Sequence, residues 1–269
     1  MQIQIRLPYA FSHIGQRTTN QDALFPGGTA DPQTQLFLVC DGMGGADKGE
    51  VASALLCRGI ADYARSMGEP VFDIVHLQVA LDQVYESYHE YLQEHPFVHR
   101  MGSTLALVQF HEHGVTVAHL GDSRVYQLRA GKIIFQTKDH KQVNDMVDAG
   151  IITETQALSH PWRNRLSRAV VVHAGENPAQ TSHPIPDILV LDDVRAGDYF
   201  FMCTDGVLER VDNATLESVL GGDIPDKAKM AALIGLCNGQ TQDNYSGYLI
   251  GIETVNQAEE TTKPQVVRS

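Results

Sequence analysis

Apolar and polar positions alternate at the start of the chain, where Ile3, Ile5 and Leu7 interleave with Gln2, Gln4 and Arg6 and predict a half-buried strand. The pattern changes at Leu36-Phe37-Leu38-Val39-Cys40, a continuous apolar run that predicts a central strand buried on both faces. Helical spacing follows. Leu56, Ile60, Tyr63 and Met67 recur on one face, as do Ile74, Leu77, Leu81, Val84, Tyr88 and Tyr91, so two helices are expected in succession. Strands then come close together over 103–110, 115–120, 124–128 and 132–136, with Arg129-Ala130-Gly131 as a hairpin signal between the last two. Further helices are expected over 142–149 and 226–236, and late strands over 188–191, 199–203 and 248–252. Runs of strands and runs of helices predict an α+β fold with antiparallel sheets rather than alternating βαβ units. No repeat or low-complexity block interrupts the chain. Periodicity fades only over 256–269, which reads as a loose tail, so residues 1–255 are expected to form a single domain.

Composition narrows the class. The 269 residues are 43% apolar and 20% charged, ordinary for a globular protein. Acids outnumber bases 33 to 20, a formal charge of −13, and that average field repels nucleic acid and anionic membranes. The longest apolar runs are strand-sized, too short for a membrane span. The N-terminus lacks the basic start and long apolar stretch of a signal peptide, so a cytoplasmic location is expected. Cys40, Cys57, Cys203 and Cys237 lie far apart with no CxxC pair, which predicts buried free thiols. Nothing in the pattern calls for an oligomer, and a monomer is expected.

The chemistry sits at strand ends. Asp41 follows the apolar strand directly, Asp122 follows Leu120-Gly121, Asp205 follows the strand over 199–203, and Asp243 precedes the strand that ends at Ile252. Each stands beside a glycine or another small or polar turn residue: Asp41-Gly42, Gly121-Asp122-Ser123, Thr204-Asp205-Gly206 and Asp243-Asn244. One Asp-Gly after a strand is usually a turn and nothing more. Four carboxylates at strand ends can converge on one edge of a sheet pair, and glycine lets a backbone carbonyl such as that of Gly42 approach as a further ligand. Oxygen donors without His or Cys suit Mg²⁺ or Mn²⁺ rather than zinc or copper. Two such ions, roughly 3.5–4 Å apart, activate a water and neutralise a transferring phosphoryl group.

The order of these motifs carries a resemblance. Arg17-Thr18-Thr19-Asn20-Gln21-Asp22, Asp41-Gly42-Met43-Gly44-Gly45 with Gly49-Glu50 and Ala52-Ser53, and Met101-Gly102-Ser103-Thr104 come first. Gly121-Asp122-Ser123-Arg124-Val125-Tyr126, Asp139-His140, Cys203-Thr204-Asp205-Gly206 and Asp243-Asn244 continue the series. Together they resemble the type 2C metal-dependent protein serine/threonine phosphatases in their compact bacterial form, from about Ser12 to Ile252. The resemblance implies a four-layer α-β-β-α sandwich with a metal cluster at one edge of the sheets. It implies that Asp41 bridges two core Mn²⁺ or Mg²⁺ ions with help from the Gly42 carbonyl, that Asp205 and Asp243 complete the first ion's shell, and that Asp22 acts on the second through waters. Asp122 would hold a weaker third ion, and Arg17 would grip the substrate phosphate with its planar fork of donors. Asn244 would fix its ligand neighbour. Ser123 and Arg124 are expected to shape the hairpin, Glu50 to anchor the helix after Gly49, and His140 to be structural.

The reaction so implied is direct hydrolysis of phosphoserine or phosphothreonine by a metal-bridging hydroxide, without a phosphoenzyme, opposing a bacterial serine/threonine kinase. Ser53, Ser103 and Ser123 are then not nucleophiles. No GxSxG motif is present, and no arginine lies six positions beyond any of the four cysteines, as a cysteine phosphatase requires. One departure matters. Met43 and Ala46 occupy the positions where the family carries a histidine as general acid, so the leaving oxygen is expected to take its proton from water, with Asp47 and Lys48 as the nearest alternatives. Aryl phosphates, which need no such proton, should suffer less. The segment from Asp145 to Arg165, with Trp162, matches the family's flap beside the site. Two other functions fit a similar fold: a pseudophosphatase that binds a phosphoprotein without turnover, and a hydrolase of small phosphoesters. The retained carboxylates weigh against the first.

Overall fold

The computed structural model describes residues 1–43, 48–177 and 181–256. In chain order the elements begin with β1 (Gln2–Ile5), β2 (Tyr9–His13), β3 (Asp22–Phe25), β4 (Leu36–Asp41), α1 (Gly49–Ser66) and α2 (Ile74–Glu94). Next come β5 (Arg100–Ser103), β6 (Leu105–His111), β7 (Gly114–Leu120), β8 (Arg124–Arg129), β9 (Lys132–Gln136), α3 (Gln142–Asp148) and α4 (Glu154–Ser159). The last are β10 (Val170–His173), β11 (Asp187–Leu191), β12 (Tyr199–Cys203), α5 (Asp205–Leu208), α6 (Asn213–Gly221), α7 (Asp226–Cys237) and β13 (Tyr245–Asn256).

Two antiparallel sheets form the centre. One runs β11-β7-β6-β4-β3, the other β1-β13-β12-β8-β9 with β2 also on β13, and β10-β5 make a separate ribbon. Strand alternation sorts the side chains into three cores. Phe37 and Val39 meet Val125, Phe200, Met202, Tyr248 and Ile250 between the sheets. Leu38 and Cys40, on the other face of β4, pack with Leu56 and Ile60 of α1 and Leu81 and Val84 of α2. Phe201, Cys203 and Leu249 face outward on the second sheet against Leu216, Met230 and Leu233 of α6 and α7. Three cores between four layers make the α-β-β-α sandwich that the resemblance implied. Each Leu, Val or Phe so buried contributes about 1.5–3 kcal/mol. The Tyr88 hydroxyl ties α2 to α1 by donating to the Ala52 carbonyl at 2.7 Å.

The expected elements are present with shifted ends. The hairpin after β8 is a two-residue turn, Arg129 pairing with Lys132, and its central Ala130 and Gly131 have φ of 48° and 74°. Left-handed φ at both positions is a type I′ turn, whose twist matches the strands it joins. Leu7 lies past the end of β1 and is 52% exposed. Met67 falls one residue beyond α1. The single strand expected over 103–110 is two strands broken at Thr104, which stays opposite Asp41 in the β4–β6 register but takes the Asp41 N–H on its Oγ1 instead of its carbonyl. Asn256 pairs with Gln2 in the sheet, so β13 claims the first residue of the expected tail, and 257–269 lie outside the described residues. All four cysteines are free and buried, as expected. No helix among the described residues is long and apolar enough to cross a membrane.

Candidate metal centre

Sheet register brings the acids together. Antiparallel pairing of β3 and β4 sets Asp22 opposite Asp41. Asp205 opens α5 two residues after β12 ends, Asp243 stands two residues before β13 begins, and Asp122 lies in the turn between β7 and β8. Arg17, Asp41, Gly42, Asp122, Asp205 and Asp243 line one cleft of about 230 Å³, with Met43, Thr104 and Leu166 in its wall. Asp22 is not among the residues lining this cleft, and Thr204 Oγ1 donates to its Oδ2 at 3.0 Å.

Local chemistry holds each acid in place. The Asp41 N–H donates to Thr104 Oγ1 and the Thr104 N–H returns to the Asp41 carbonyl, both at 2.9 Å. Thr104 Oγ1 also lies 2.6 Å from Ser123 Oγ, which joins the Asp41 and Asp122 turns. At Gly42 only glycine fits: a Cβ there would stand 2.0 Å from the Gly49 carbonyl oxygen and 2.6 Å from that of Gln21. Glu50 lies in the first turn of α1, where a negative charge is favourable to the helix, and within 3.6 Å of Lys48 Nζ. Ser53 and Ser103 donate to the backbone carbonyls of Gln21 and Thr104 and are fully buried, consistent with structural roles.

The carboxylates strain against one another. Burial, then the charges of Asp22, Asp205, Asp122 and Asp243, hold the Asp41 carboxyl far above the usual range. Burial followed by the charges of Asp205 and Asp243 pushes Asp22 up to about 7. Burial with Asp122 and Asp243 pushes Asp205 up to about 6. The buried Oδ1 of Asp22 has no hydrogen-bond partner. Desolvated, mutually repelling carboxylates with an orphaned oxygen fit an oxygen-seeking divalent cation, which would satisfy both defects at once.

Several partners were not legible in the sequence. Lys141, directly after Asp139-His140, places Nζ 3.1 Å from Asp122 Oδ2 and 3.2 Å from Asp139 Oδ2. Arg124 grips Asp139 with Nε and Nη2 at 2.6 and 2.9 Å, so it braces the turn as expected. Arg17 Nη2 donates to Asp243 Oδ2 at 2.7 Å, and 56% of its side chain is exposed. Asn244 does not grip the Asp243 carboxylate with its side chain. Its amide spans the Arg17 loop instead, accepting from Gln21 N at 2.8 Å and donating to the Ile14 and Thr19 carbonyls at 2.8 and 3.0 Å, while its own N–H reaches Asp243 Oδ1 at 2.8 Å.

His140 is a brace. Its Nδ1 accepts from Gly121 N at 3.1 Å, its Nε2 faces Asp187 Oδ2 at 3.1 Å, and Arg168 donates to Asp187 Oδ1 at 2.6 Å. Burial, then the neighbouring His119 ring, pushes His140 down to about 4. His119, His140 and Asp187 bring one donor atom each within 4.8 Å of one another, but this is a second grouping of a different kind. With Nδ1 taking the Gly121 proton donor, His140 Nε2 carries its own hydrogen and has no lone pair for a cation. The segment over 145–165 holds α4, whose Thr153 and Gln156 form a capping box, and Trp162, over which Arg165 stacks at 5.3 Å. Its base is pinned beside the cleft by a bridge between Lys141 and Leu166. Met43 stands in the cleft wall, whereas Ala46 and Asp47 lie outside the described residues.

Comparison with known proteins adds a family. Residues 11–224 match the family model for protein phosphatase 2C. The chain is 32% identical over 216 residues to the serine/threonine protein phosphatase PstP of Mycobacterium tuberculosis, which covers 80% of this chain and 38% of that protein. It therefore spans less than half the length of that relative. Protein phosphatase PhpP of Streptococcus pneumoniae is 27% identical over 238 residues, covering 84% of this chain and 88% of that one. A crystal structure of Mycobacterium tuberculosis PstP/Ppp superposes with a TM-score of 0.75 at 31% identity, over 93% of this chain and 100% of that one. A structure of the catalytic domain of PstP in complex with 2 manganese ions matches with a TM-score of 0.72 at 29% identity, over 94% and 100% of the two chains.

Proposed function

The chain belongs to the protein phosphatase 2C family, and from that membership we propose that it is a metal-dependent phosphatase hydrolysing phosphoserine and phosphothreonine in protein substrates. The observation that carries this reading is the meeting of Asp41, Asp122, Asp205 and Asp243 with Arg17 in one cleft, backed by the orphaned oxygen of Asp22. Asp41, Asp205 and Asp243 would hold Mn²⁺ or Mg²⁺ with the Gly42 carbonyl, Asp22 would act through waters, and Asp122 would serve a weaker third ion. Bound there, divalent cations supply an activated water and positive charge against the phosphoryl oxygens.

The protein's own groups do the rest. Arg17 keeps an exposed guanidinium at the mouth, and donors not used on Asp243 are free in direction to meet phosphate oxygens. The Asn244 amide fixes the loop that carries it. No described residue lining the cleft is a histidine, which supports a proton from water for the leaving oxygen, and the advantage of aryl over alkyl phosphates should be large. Ser53, Ser103 and Ser123 are engaged in structural hydrogen bonds, which supports direct hydrolysis without a phosphoenzyme.

The remaining assignments rest on the same reading: an opposing serine/threonine kinase that makes the substrate, a cytoplasmic setting, and one catalytic domain over residues 1–255. The test is phosphate release from a phosphothreonine peptide in Mn²⁺, in Mg²⁺ and in EDTA. Release with metal and none in EDTA is expected. Metal binding without any release would overturn the enzyme reading in favour of a phosphoprotein-binding pseudophosphatase.

A further inference from the structure

A second groove of about 540 Å³ adjoins the cleft, and the two share Met43 and Leu166 in their walls. Arg100 and Arg168 give it two guanidinium groups in a chain whose net charge is −13. Arg168 is spent on Asp187. Glu176, the acid in the groove wall, accepts the His173 N–H at 3.0 Å. Arg100 is different. It is half-buried, its Nε is shut off from solvent without a hydrogen-bond partner, and it makes no ion pair among the described residues. Its two terminal nitrogens are not shut off in this way and have no hydrogen-bond partner among the described residues, so they are the donors a ligand carboxylate in the groove would meet.

Strand geometry sets the distance. Ser103, at the end of β5, bridges to Gly42, and Met43 N donates to the Gly102 carbonyl at 2.9 Å. Arg100 lies three residues back along the same strand, roughly 10 Å away at about 3.3 Å per residue. Arg100 and Gly102 share one face of β5. A Cβ on Gly102 would stand 2.8 Å from Met43 Cε and 3.2 Å from Val171 Cγ2, so glycine lets these two side chains, both in the groove wall, pack over β5 between Arg100 and the cleft.

We propose that this groove receives the extended substrate segment beside the phosphoresidue, and that Arg100 binds an Asp or Glu side chain about three residues from it. This rests on the phosphatase reading and adds a sequence preference to it. The extended peptide and β5 have the same rise per residue, so three residues of one span three of the other.

The test compares phosphothreonine peptides carrying Glu three residues before the phosphoresidue, Glu three residues after it, or Gln at both places. p-Nitrophenyl phosphate, which has no flanking residues, is the reference for the chemical step. Wild-type protein in Mn²⁺ should favour one of the acidic peptides roughly tenfold in kcat/KM, through KM, as expected for one charged hydrogen bond. Arg100→Gln should abolish that preference, and Arg100→Glu should transfer it to a peptide with Lys at the same position. Equal wild-type rates on all three peptides would overturn the groove assignment while leaving the phosphatase reading intact. So would a loss in Arg100→Gln that is the same on p-nitrophenyl phosphate as on the acidic peptide. Absence of turnover on every substrate would remove both.

Discussion

Replacing Asp22 by Asn in metal-free protein should change the pH dependence of stability by a calculable amount. The unfolded chain ionises this carboxyl near 3.8, whereas burial and the neighbouring acids hold it to about 7 in the fold. Each tenfold change in an acid constant is worth about 1.4 kcal/mol, so the ionised group costs the folded state about 4 kcal/mol above pH 7. Because the folded value is the raised one, the penalty is absent below pH 4, grows as pH rises through 7, and is then constant. Between pH 5 and pH 8 it should grow by about 2.5 kcal/mol. Asn carries no such penalty, and removing the charge also relieves Asp41, whose carboxyl feels Asp22 next after burial. Its amide nitrogen in place of Oδ1 adds a cost of about 1–3 kcal/mol that does not vary with pH. Urea unfolding in EDTA from pH 5 to 8 should therefore show Asp22→Asn gaining on wild type by about 2.5 kcal/mol as pH rises. Saturating Mn²⁺ should reverse the order, since ligand binding stabilises the protein that binds it better. A wild-type-to-variant difference that is flat with pH, or that moves the other way, refutes the crowded-carboxylate account.

Three further substitutions probe the supports of the site. Gly42→Ala drives a Cβ into the Gly49 and Gln21 carbonyls and should cost about 3 kcal/mol or more, read from urea unfolding, with phosphate release lost. Thr104→Val removes the acceptor for the Asp41 N–H, and should cost about 1–3 kcal/mol of stability and roughly tenfold in Mn²⁺ affinity by calorimetry. Arg124→Met leaves the buried Asp139, whose carboxyl burial pushes up and the Arg124 fork draws below its ordinary value, with Lys141 as its remaining cation. The loss, about 3 kcal/mol at pH 7, should shrink as pH falls through the carboxylate range, because a depressed acid stabilises only where it is ionised.

The central strand was legible because it is apolar on both faces, and the four-layer order came from the family resemblance. Phe37 and Val39 turn to one core and Leu38 and Cys40 to another, and a continuous run of that kind has no other home. What escaped the sequence is what tertiary contact decides. Thr104 breaks a strand that reads as continuous because its side-chain oxygen, in place of its carbonyl, accepts from the N–H of Asp41, 63 residues away. β3 reads Asp22-Ala23-Leu24-Phe25, with no alternation and every residue partly buried, and β2 reads Tyr9-Ala10-Phe11-Ser12-His13, where only Phe11 is buried. At the site, Asp41, Asp122, Asp205 and Asp243 stand out as acids at strand ends only when read together in the order of the family's motifs. Lys141, Thr204 and Asp187 do not, since each is defined by the partner it meets across the fold. The hold of Arg17 on Asp243 belongs to the same class, as 226 residues separate them.

The most direct measurement pairs Mn²⁺ calorimetry with phosphate release from a phosphothreonine peptide, on wild type and on Asp205→Asn. The account predicts that wild type binds Mn²⁺ and turns over, and that the variant keeps its fold by circular dichroism while losing the tight ion and the activity together. Turnover that persists in Asp205→Asn, or in wild type stripped with EDTA, would contradict a metal centre built from these carboxylates.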